Sequence, residues 1–275
     1  MKKFIAFIAL LALIAGGVLL GVAFYNGSFK KADDTITHNY DVIEPFENIK
    51  IETKTSDVIF EVSADGKCHL ECVEREKMYH EYVVSDNTLA ITCKDEYKFY
   101  EKWSLFSGNH KLTISLPLSI YKNLDVKVST GDITFKNGFT FDNATFTSST
   151  GDVSLEDLTI NQALTISVST GHIEIEDVTA DSATLKVSTG KVKMTDFLID
   201  QKLTISSTTG DIIFKDCDAG SLDISTKTGD ISGNLLTPKS FDAVAKTGDV
   251  DVPPNMSGGA CILRTSTGDI TIEIR

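Results

Sequence analysis

The stretch SVSTGHIEIEDVTADSATLKVSTGKVKM, residues 167–194, contains the tripeptide Ser-Thr-Gly twice, with alternating apolar residues on either side. The dipeptide Thr-Gly recurs at a nearly constant interval through the second half of the chain, with its glycine at Gly131, Gly151, Gly171, Gly190, Gly210, Gly229, Gly248 and Gly268. This interval is too short for a strand–helix–strand unit and matches one coil of a solenoid. We therefore predict an all-β fold, a single-stranded parallel β-solenoid (β-helix) with coils of about 20 residues.

The apolar residues of each repeat alternate with polar ones on both sides of the glycine. Ile166 and Val168 precede Gly171, and Ile173 follows it. A period of two predicts strands with one buried face, but the step from Thr170 to Ile173 is three, so the chain turns there. Glycine tolerates the positive φ of such a corner, and coils about 4.8 Å apart leave little room for a side chain. We interpret the glycines as a structural corner.

Two further columns flank the glycines. The preceding threonines predict a structural ladder of β-branched residues at Thr130, Thr150, Thr170, Thr189, Thr209, Thr228, Thr247 and Thr267. The following residue is His172 or Lys191 in two coils and aspartate in the others, namely Asp132, Asp152, Asp211, Asp230, Asp249 and Asp269. One interpretation is that each carboxylate hydrogen-bonds the backbone of its own turn. The other is a row of calcium-type cation sites, ended by Lys191.

The N-terminus predicts a membrane anchor. Lys2 and Lys3 precede an uncharged apolar run over residues 4–25, which is long enough to span a bilayer and longer than the apolar region of a cleaved signal. We predict a cytoplasmic N-terminus (1–3), a transmembrane anchor (4–25), a tether (26–44) and an extracytoplasmic β-solenoid (45–275). Within the solenoid we expect irregular N-terminal coils and a cap over 45–120, with Ser56 in the glycine position, and regular coils over 121–275.

The net charge of the chain limits the kinds of partner that it is expected to bind. The segment 1–31 holds four of the 26 basic residues and none of the 39 acidic ones, so the segment 32–275 has a net charge of −17. This charge argues against nucleic acid as a partner. It favours divalent cations or cationic peptides, or it serves only to keep the surface soluble.

The five cysteines are an odd number, which excludes a complete disulfide framework. Cys68 and Cys72 share a strand face with Leu70, so burial accounts for them, and Cys-x3-Cys is a weak metal signal without a second pair. A single bridge involving Cys93 stays open.

An aromatic segment interrupts the N-terminal region. It concentrates aromatic residues within residues 97–106, at Tyr97, Tyr100, Trp103 and Phe106 among others. Exposed, it predicts a binding loop or a membrane-interface contact, because Trp and Tyr beside Lys suit both. Folded back, it predicts a cap over the open end of the solenoid.

The C-terminal end predicts an exposed sheet edge. The chain stops at Arg275 directly after the last predicted strand. We expect Glu273, Arg275 or a partner to discourage open-ended strand pairing there.

The combination of an N-terminal anchor, the segments FENIKIETKTSDVIFEV and LTISLPLSIYKNLDVKVSTGDI, and serial Ser/Thr-Gly-Asp-Ile coils resembles the bacterial "putative adhesin" β-solenoid family. This family of unknown function includes LiaG-like membrane-anchored envelope proteins associated with envelope stress. The resemblance covers roughly residues 40–275. It implies an extracytoplasmic, membrane-tethered protein, and it implies no catalytic residues.

These features predict a non-catalytic binding or scaffold module of the cell envelope, without a cofactor. Its expected partners are the membrane, through residues 4–25, and an envelope protein, a cationic peptide or a divalent cation. One alternative is a sensor or regulatory subunit that responds to cationic peptides or divalent ions through a membrane partner. Another is a polysaccharide-cleaving β-helix enzyme, for which His172 and Lys191 beside Asp152 and Asp211 are the candidate residues. No nucleophile elbow or His-Glu-x-x-His motif supports the enzyme.

Overall fold

The computed structural model describes residues 35–97, 110–136, 138–254 and 257–275, and every helix or strand assigned in these ranges is a β-strand. The N-terminal strands are β1 (Ile36–Val42), β2 (Asn48–Thr53), β3 (Asp57–Val62), β4 (Cys68–Glu74), β5 (Met78–Ser85), β6 (Thr88–Asp95), β7 (Lys111–Leu116), β8 (Ile120–Thr130) and β9 (Ile133–Phe135). The remaining strands are β10 (Phe139–Thr150), β11 (Val153–Thr170), β12 (Ile173–Thr189), β13 (Val192–Thr209), β14 (Ile212–Thr228), β15 (Ile231–Leu235), β16 (Lys239–Thr247), β17 (Val250–Asp251), β18 (Gly259–Thr267) and β19 (Ile270–Ile274).

Strands β10 to β14 pair in parallel, each with the equivalent segment of the next coil. The register places equivalent apolar residues side by side and fully buried, as in the column Phe146, Ile166, Leu185, Ile205 and Ile224. Each coil therefore buries its apolar residues against those of the coils on either side, in one continuous core. The prediction of an all-β solenoid with short, regular coils is confirmed.

Each coil has three corners, whereas the sequence predicted one. In β11 the alternation of buried residues breaks at Asp157, which adopts a positive φ of 54°, and the register shifts again between Ile160 and Ala163. The third break is the predicted glycine corner at Gly171. The left-handed backbone recurs at one aspartate per coil, at Asp157, Asp177, Asp196 and Asp216. Aspartate is one of the few residues besides glycine that tolerates this conformation, which explains its use here.

The N-terminal end differs from a simple series of coils. β2 and β3 lie between the pair β6 and β7 on one side and the pair β8 and β9 on the other, so the first coil in sequence is the second in space. β4 pairs antiparallel with β7 and β1, and β5 pairs antiparallel with β6. The predicted tether over 26–44 was wrong for Ile36–Val42, which form β1.

The C-terminal end repeats this exchange of order. β18 pairs with β14 on one side and β16 on the other, and β19 pairs in the same way with β15 and β17. The last strand of the chain is therefore internal, and the exposed edge belongs to β16 and β17. The expectation that Arg275 guards the final edge was wrong, because its Nη1 donates to Asp216 Oδ1 on β14 at 2.6 Å.

No helix within the described ranges is long and apolar enough to cross a membrane. The predicted anchor at residues 4–25, the cytoplasmic residues 1–3 and the first part of the predicted tether lie outside these ranges.

Candidate functional site

The eight glycines lie one above another along one edge of the solenoid. A Cβ built on Gly171 would lie 2.1 Å from the carbonyl oxygen of Gly151, and the same contact recurs along the column. The φ of Gly171 is 144°, which L-residues rarely adopt. Ser56 closes the column beside Gly131, in the position that the sequence assigned to it. Glycine is therefore required here both by backbone conformation and by the close approach of the coils.

The aspartates after these glycines connect neighbouring coils. Asp132 Oδ1 accepts a hydrogen bond from the backbone N–H of Asp152 at 2.8 Å, and Asp152 Oδ1 accepts one from the N–H of His172 at 2.7 Å. Asp57, which follows Ser56, accepts in the same way from Asp132. The carboxylate thus bonds the next coil, and the interpretation that it bonds its own turn was wrong in that respect.

His172 and Lys191 differ in whether they continue this ladder, the row of hydrogen bonds from the backbone of one coil to the aspartate of a neighbouring coil. His172 Nδ1 accepts the backbone N–H of Lys191 at 2.9 Å, so the imidazole replaces the carboxylate. Lysine carries no acceptor, and Lys191 instead places its Nζ 3.4 Å from Asp211 Oδ2. The ladder resumes where Asp211 accepts from Asp230, and it continues through Asp269 to Asp249. These bonds give the aspartate column a role in joining coils.

The aromatic segment is described only at its start. Tyr97 is 8% exposed, its N–H donates to Asp95 Oδ1 at 3.1 Å, and Lys77 Nζ lies 5.7 Å from the centre of its ring. Tyr100, Trp103 and Phe106 lie outside the described residues.

The five cysteines are free thiols. Burial raises the pKa of Cys217 to about 11 and that of Cys261 to about 12, so both remain protonated at neutral pH. Cys93 is half-buried and forms no bridge, which closes the option that the sequence left open.

A polar groove of about 580 Å³ crosses the outer surface of β1, β4, β7 and β3. Its walls carry four carboxylates, against one lysine, Lys111; the carboxylates belong to Asp41, Glu61, Asp65 and Glu71. Its lining also includes Thr113, which is 6% exposed and whose Oγ1 has no hydrogen-bond partner among the described residues. A buried hydroxyl without a partner is costly, so a bound polar group or water is expected there.

His69 stands in this groove between two carboxylates. Its Nδ1 lies 2.7 Å from Asp41 Oδ1 and its Nε2 lies 2.9 Å from Asp65 Oδ1. Only the doubly protonated imidazole donates from both nitrogens. The hydrogen bonds to Asp65 and then to Asp41 raise the pKa of His69, and those from His69, Lys67 and Ser63 hold the pKa of Asp65 well below its usual range. His69 therefore offsets part of the groove's negative charge.

This groove was not predicted from the sequence. Its residues come from four strands that are not paired in chain order: β4 pairs antiparallel with β1 and β7, and β7 pairs in parallel with β3. The one local signal is the spacing of Asp65 and His69. Asp65 precedes β4, and His69 is the second residue of that strand.

A cluster of four charged or titratable side chains is buried on the inner side of β4. Glu74, Arg75, His80 and His110 are each less than 5% exposed. Burial raises the pKa of Glu74, but hydrogen bonds from His80 and His38 outweigh it and hold the pKa below its ordinary value. None of these residues was predicted as part of a site.

Comparison with known proteins gives a family and a fold. The model of the family described as "Toastrack DUF4097" matches residues 46–201 and 162–275. A solved "putative adhesin" from Bacteroides fragilis is 21% identical, covers 87% of this chain and 97% of its own, and superposes with a TM-score of 0.58. No match was found among curated proteins.

Two other solved structures, both from Parabacteroides distasonis, are more distant. One, described as a "putative adhesin", is 14% identical over 88% of this chain and 98% of its own, with a TM-score of 0.47. The other, described as a "putative lipid binding protein", is 15% identical over 87% of this chain and 97% of its own, with a TM-score of 0.46.

Proposed function

Because the chain belongs to the Toastrack DUF4097 family, we propose that it is a non-catalytic, membrane-anchored β-solenoid of the cell envelope that binds a cationic ligand in the acidic groove. Residues 4–25 form the anchor and the solenoid lies outside the membrane. The solenoid acts as a rigid scaffold, since eight stacked corners give a column about 34 Å high. The observation that carries the proposal is the groove over β1, β4, β7 and β3, where four carboxylates outnumber the two basic side chains, Lys111 and His69.

The groove has the chemistry of a site for a cationic peptide. Its carboxylates are exposed and spread across the groove, which suits several separate ammonium or guanidinium groups on one extended ligand. Thr113 and Ser115 add hydroxyl groups to the lining. The negative net charge of the segment 32–275 attracts such a ligand from a distance.

The test is binding of a fluorescent oligolysine peptide to the full chain in neutral detergent micelles, measured by anisotropy. Glu61→Gln/Glu71→Gln removes two exposed groove carboxylates and is expected to weaken binding by roughly 2- to 30-fold, at about 0.2–1 kcal/mol for each lost ion pair. Binding to the unchanged chain is expected to weaken as ionic strength rises.

Glu156→Gln/Glu176→Gln is the matched control. These glutamates are also exposed on strands, and they lie side by side on the regular coils, away from the groove. The control pair changes the net charge by the same amount and is expected to leave the affinity within twofold. Equal weakening by both pairs, or no binding of the peptide by the unchanged chain, would refute the proposal.

A further inference from the structure

Three metal-ligating side chains meet inside the N-terminal end of the solenoid. Ligand atoms of Cys72, Glu74 and His80 all lie within 4.8 Å of one another. The three residues are each no more than 3% exposed. In the described part of the chain this is the one group of three or more Cys, His, Asp or Glu side chains so arranged.

The backbone brings these residues together in two steps. Cys72 and Glu74 alternate with Val73 on β4, so both point to its inner face. Reciprocal backbone hydrogen bonds between Arg75 and Met78 then reverse the chain around residues 76 and 77. β5 leaves this reversal to pair with β6, and His80 on β5 faces back toward Glu74.

The surrounding hydrogen bonds hold the imidazole and the carboxylate in place. His80 Nδ1 lies 2.9 Å from Glu74 Oε2, and the backbone N–H of His80 donates to the same oxygen at 2.7 Å. His80 Nε2 lies 2.9 Å from Thr53 Oγ1, and His38 Nδ1 lies 2.8 Å from Glu74 Oε1. Thr53 and His38 thus act as outer partners, which commonly fix the ligands of protein metal sites.

We propose that Cys72 Sγ, Glu74 Oε2 and His80 Nδ1 form a binding site for one zinc-type divalent ion. On binding, the thiol of Cys72 and His80 Nδ1, which donates its proton to Glu74 Oε2 in the metal-free chain, each release one proton to solvent, and the metal forms one bond to each of the three atoms. One thiolate and one carboxylate neutralise the two charges of the ion, so no net charge is buried. His80 then keeps its remaining proton on Nε2, where Thr53 Oγ1 accepts it.

The donor set selects the class of metal. Thiolate and imidazole ligands suit Zn²⁺ and Co²⁺, whereas Ca²⁺ and Mg²⁺ require oxygen ligands. A tetrahedral zinc ion places its N, O and S ligands roughly 3.4–3.6 Å apart. The contact between His80 and Glu74 therefore opens by about half an ångström to admit the ion. Three protein ligands leave a fourth position for water.

The test is titration of the full chain, stripped of metal in neutral detergent, with Co²⁺. We expect one equivalent to bind, with a thiolate-to-cobalt charge-transfer band that Zn²⁺ abolishes by displacement and that Ca²⁺ and Mg²⁺ leave unchanged. At a free Zn²⁺ concentration of about one hundred times Kd, the Tm is expected to rise by roughly 5–10 °C.

Cys72→Ser is expected to abolish the charge-transfer band and to weaken Zn²⁺ binding at least roughly tenfold. Cys68→Ser is the matched control, because Cys68 is buried on the same face of β4 and lies outside the cluster. Thr53→Val removes the outer partner of His80 and is expected to weaken binding about tenfold with the band retained.

The site is refuted if the unchanged chain shows no charge-transfer band and no Zn²⁺-dependent rise in Tm. It is also refuted if Cys72→Ser keeps the band, or if Cys68→Ser loses it while still folded. Each variant is checked for folding by its own thermal transition, so the loss of a band is read only from chains that unfold cooperatively.

Discussion

Gly171→Ala is the most direct test of the stacked glycine corner. The new Cβ would lie 2.1 Å from Gly151 O, which is backbone and cannot move aside without shifting the adjacent coil. A φ of 144° costs an L-residue about 1–3 kcal/mol, and overpacking adds about 1–3 kcal/mol. The free energy of unfolding is therefore expected to fall by about 2–6 kcal/mol, and the Tm by roughly 4–24 °C.

Gly66→Ala supplies the control for this prediction. Gly66 also has a positive φ, 75°, but a Cβ built there meets no atom within 4 Å. Gly66→Ala is therefore expected to lower the free energy of unfolding only by the cost of holding alanine in a left-handed backbone conformation, about 1–2 kcal/mol. Thermal unfolding of the full chain, followed by circular dichroism, measures both variants. Equal Tm shifts for Gly171→Ala and Gly66→Ala would show that the close approach of the coils at Gly171 contributes nothing to stability, which would contradict the prediction.

Three individual side chains give further predictions. Lys191→Asn supplies the missing acceptor for the N–H of Asp211 and is expected to raise the free energy of unfolding by about 0.5–1 kcal/mol; a lower Tm than that of the unchanged chain would contradict it. Lys239→Met leaves Asp218, which lies 2.5 Å from Lys239 Nζ, without its buried partner and is expected to cost about 3–5 kcal/mol in denaturant unfolding. Lys239→Met/Asp218→Asn should recover part of that loss, and no recovery would argue against the ion pair. Asp65→Asn is expected to lower the pKa of His69 toward 6.5, measured by NMR titration of the imidazole, whereas an unchanged pKa would remove Asp65 as its cause.

The pH dependence of the His69 contact follows from the same shifts. Because the pKa of His69 is raised on folding, its contribution to stability is complete below the unfolded pKa near 6.5 and is lost as pH rises through the folded pKa. Because the pKa of Asp65 is lowered, its contribution is present above the unfolded pKa near 3.8 and is lost on acidification. The contact is therefore strongest at mildly acidic pH. Affinity of the groove for a cationic peptide should increase as His69 loses its proton.

The regular coils could be predicted from the sequence because each coil repeats the same constraint. Gly171 and Gly190 occupy equivalent positions, and the apolar residues beside them alternate in the same way. The corner at Asp157 was missed because aspartate in a left-handed conformation has no unique sequence signal. The direction of the hydrogen bonds between Asp132 and Asp152 could not be predicted either, since alternation defines a face and not a partner.

The groove and the buried cluster could not be predicted because they depend on pairing between distant segments. Alternation within β4 places Cys72 and Glu74 on one face, but nothing local shows that His80 returns to them. In the groove, Asp41 and Lys111 are far apart in the sequence and come together only because β4 lies between β1 and β7. The residues of both proposed sites lie among the N-terminal strands, where the regular repeat of the later coils is broken.

The exchange of coil order at both ends has a consequence for folding. The first coil, β2 and β3, is enclosed by later strands, and the last coil, β18 and β19, is enclosed by β14 and β15 on one side and β16 and β17 on the other. β16 and β17 therefore have no strand to pair with until β18 and β19 have docked. Propagation coil by coil from the centre, which suffices for a simple solenoid, cannot complete either end. Both ends must close through long-range pairing, so they are expected to form last and to limit the folding rate.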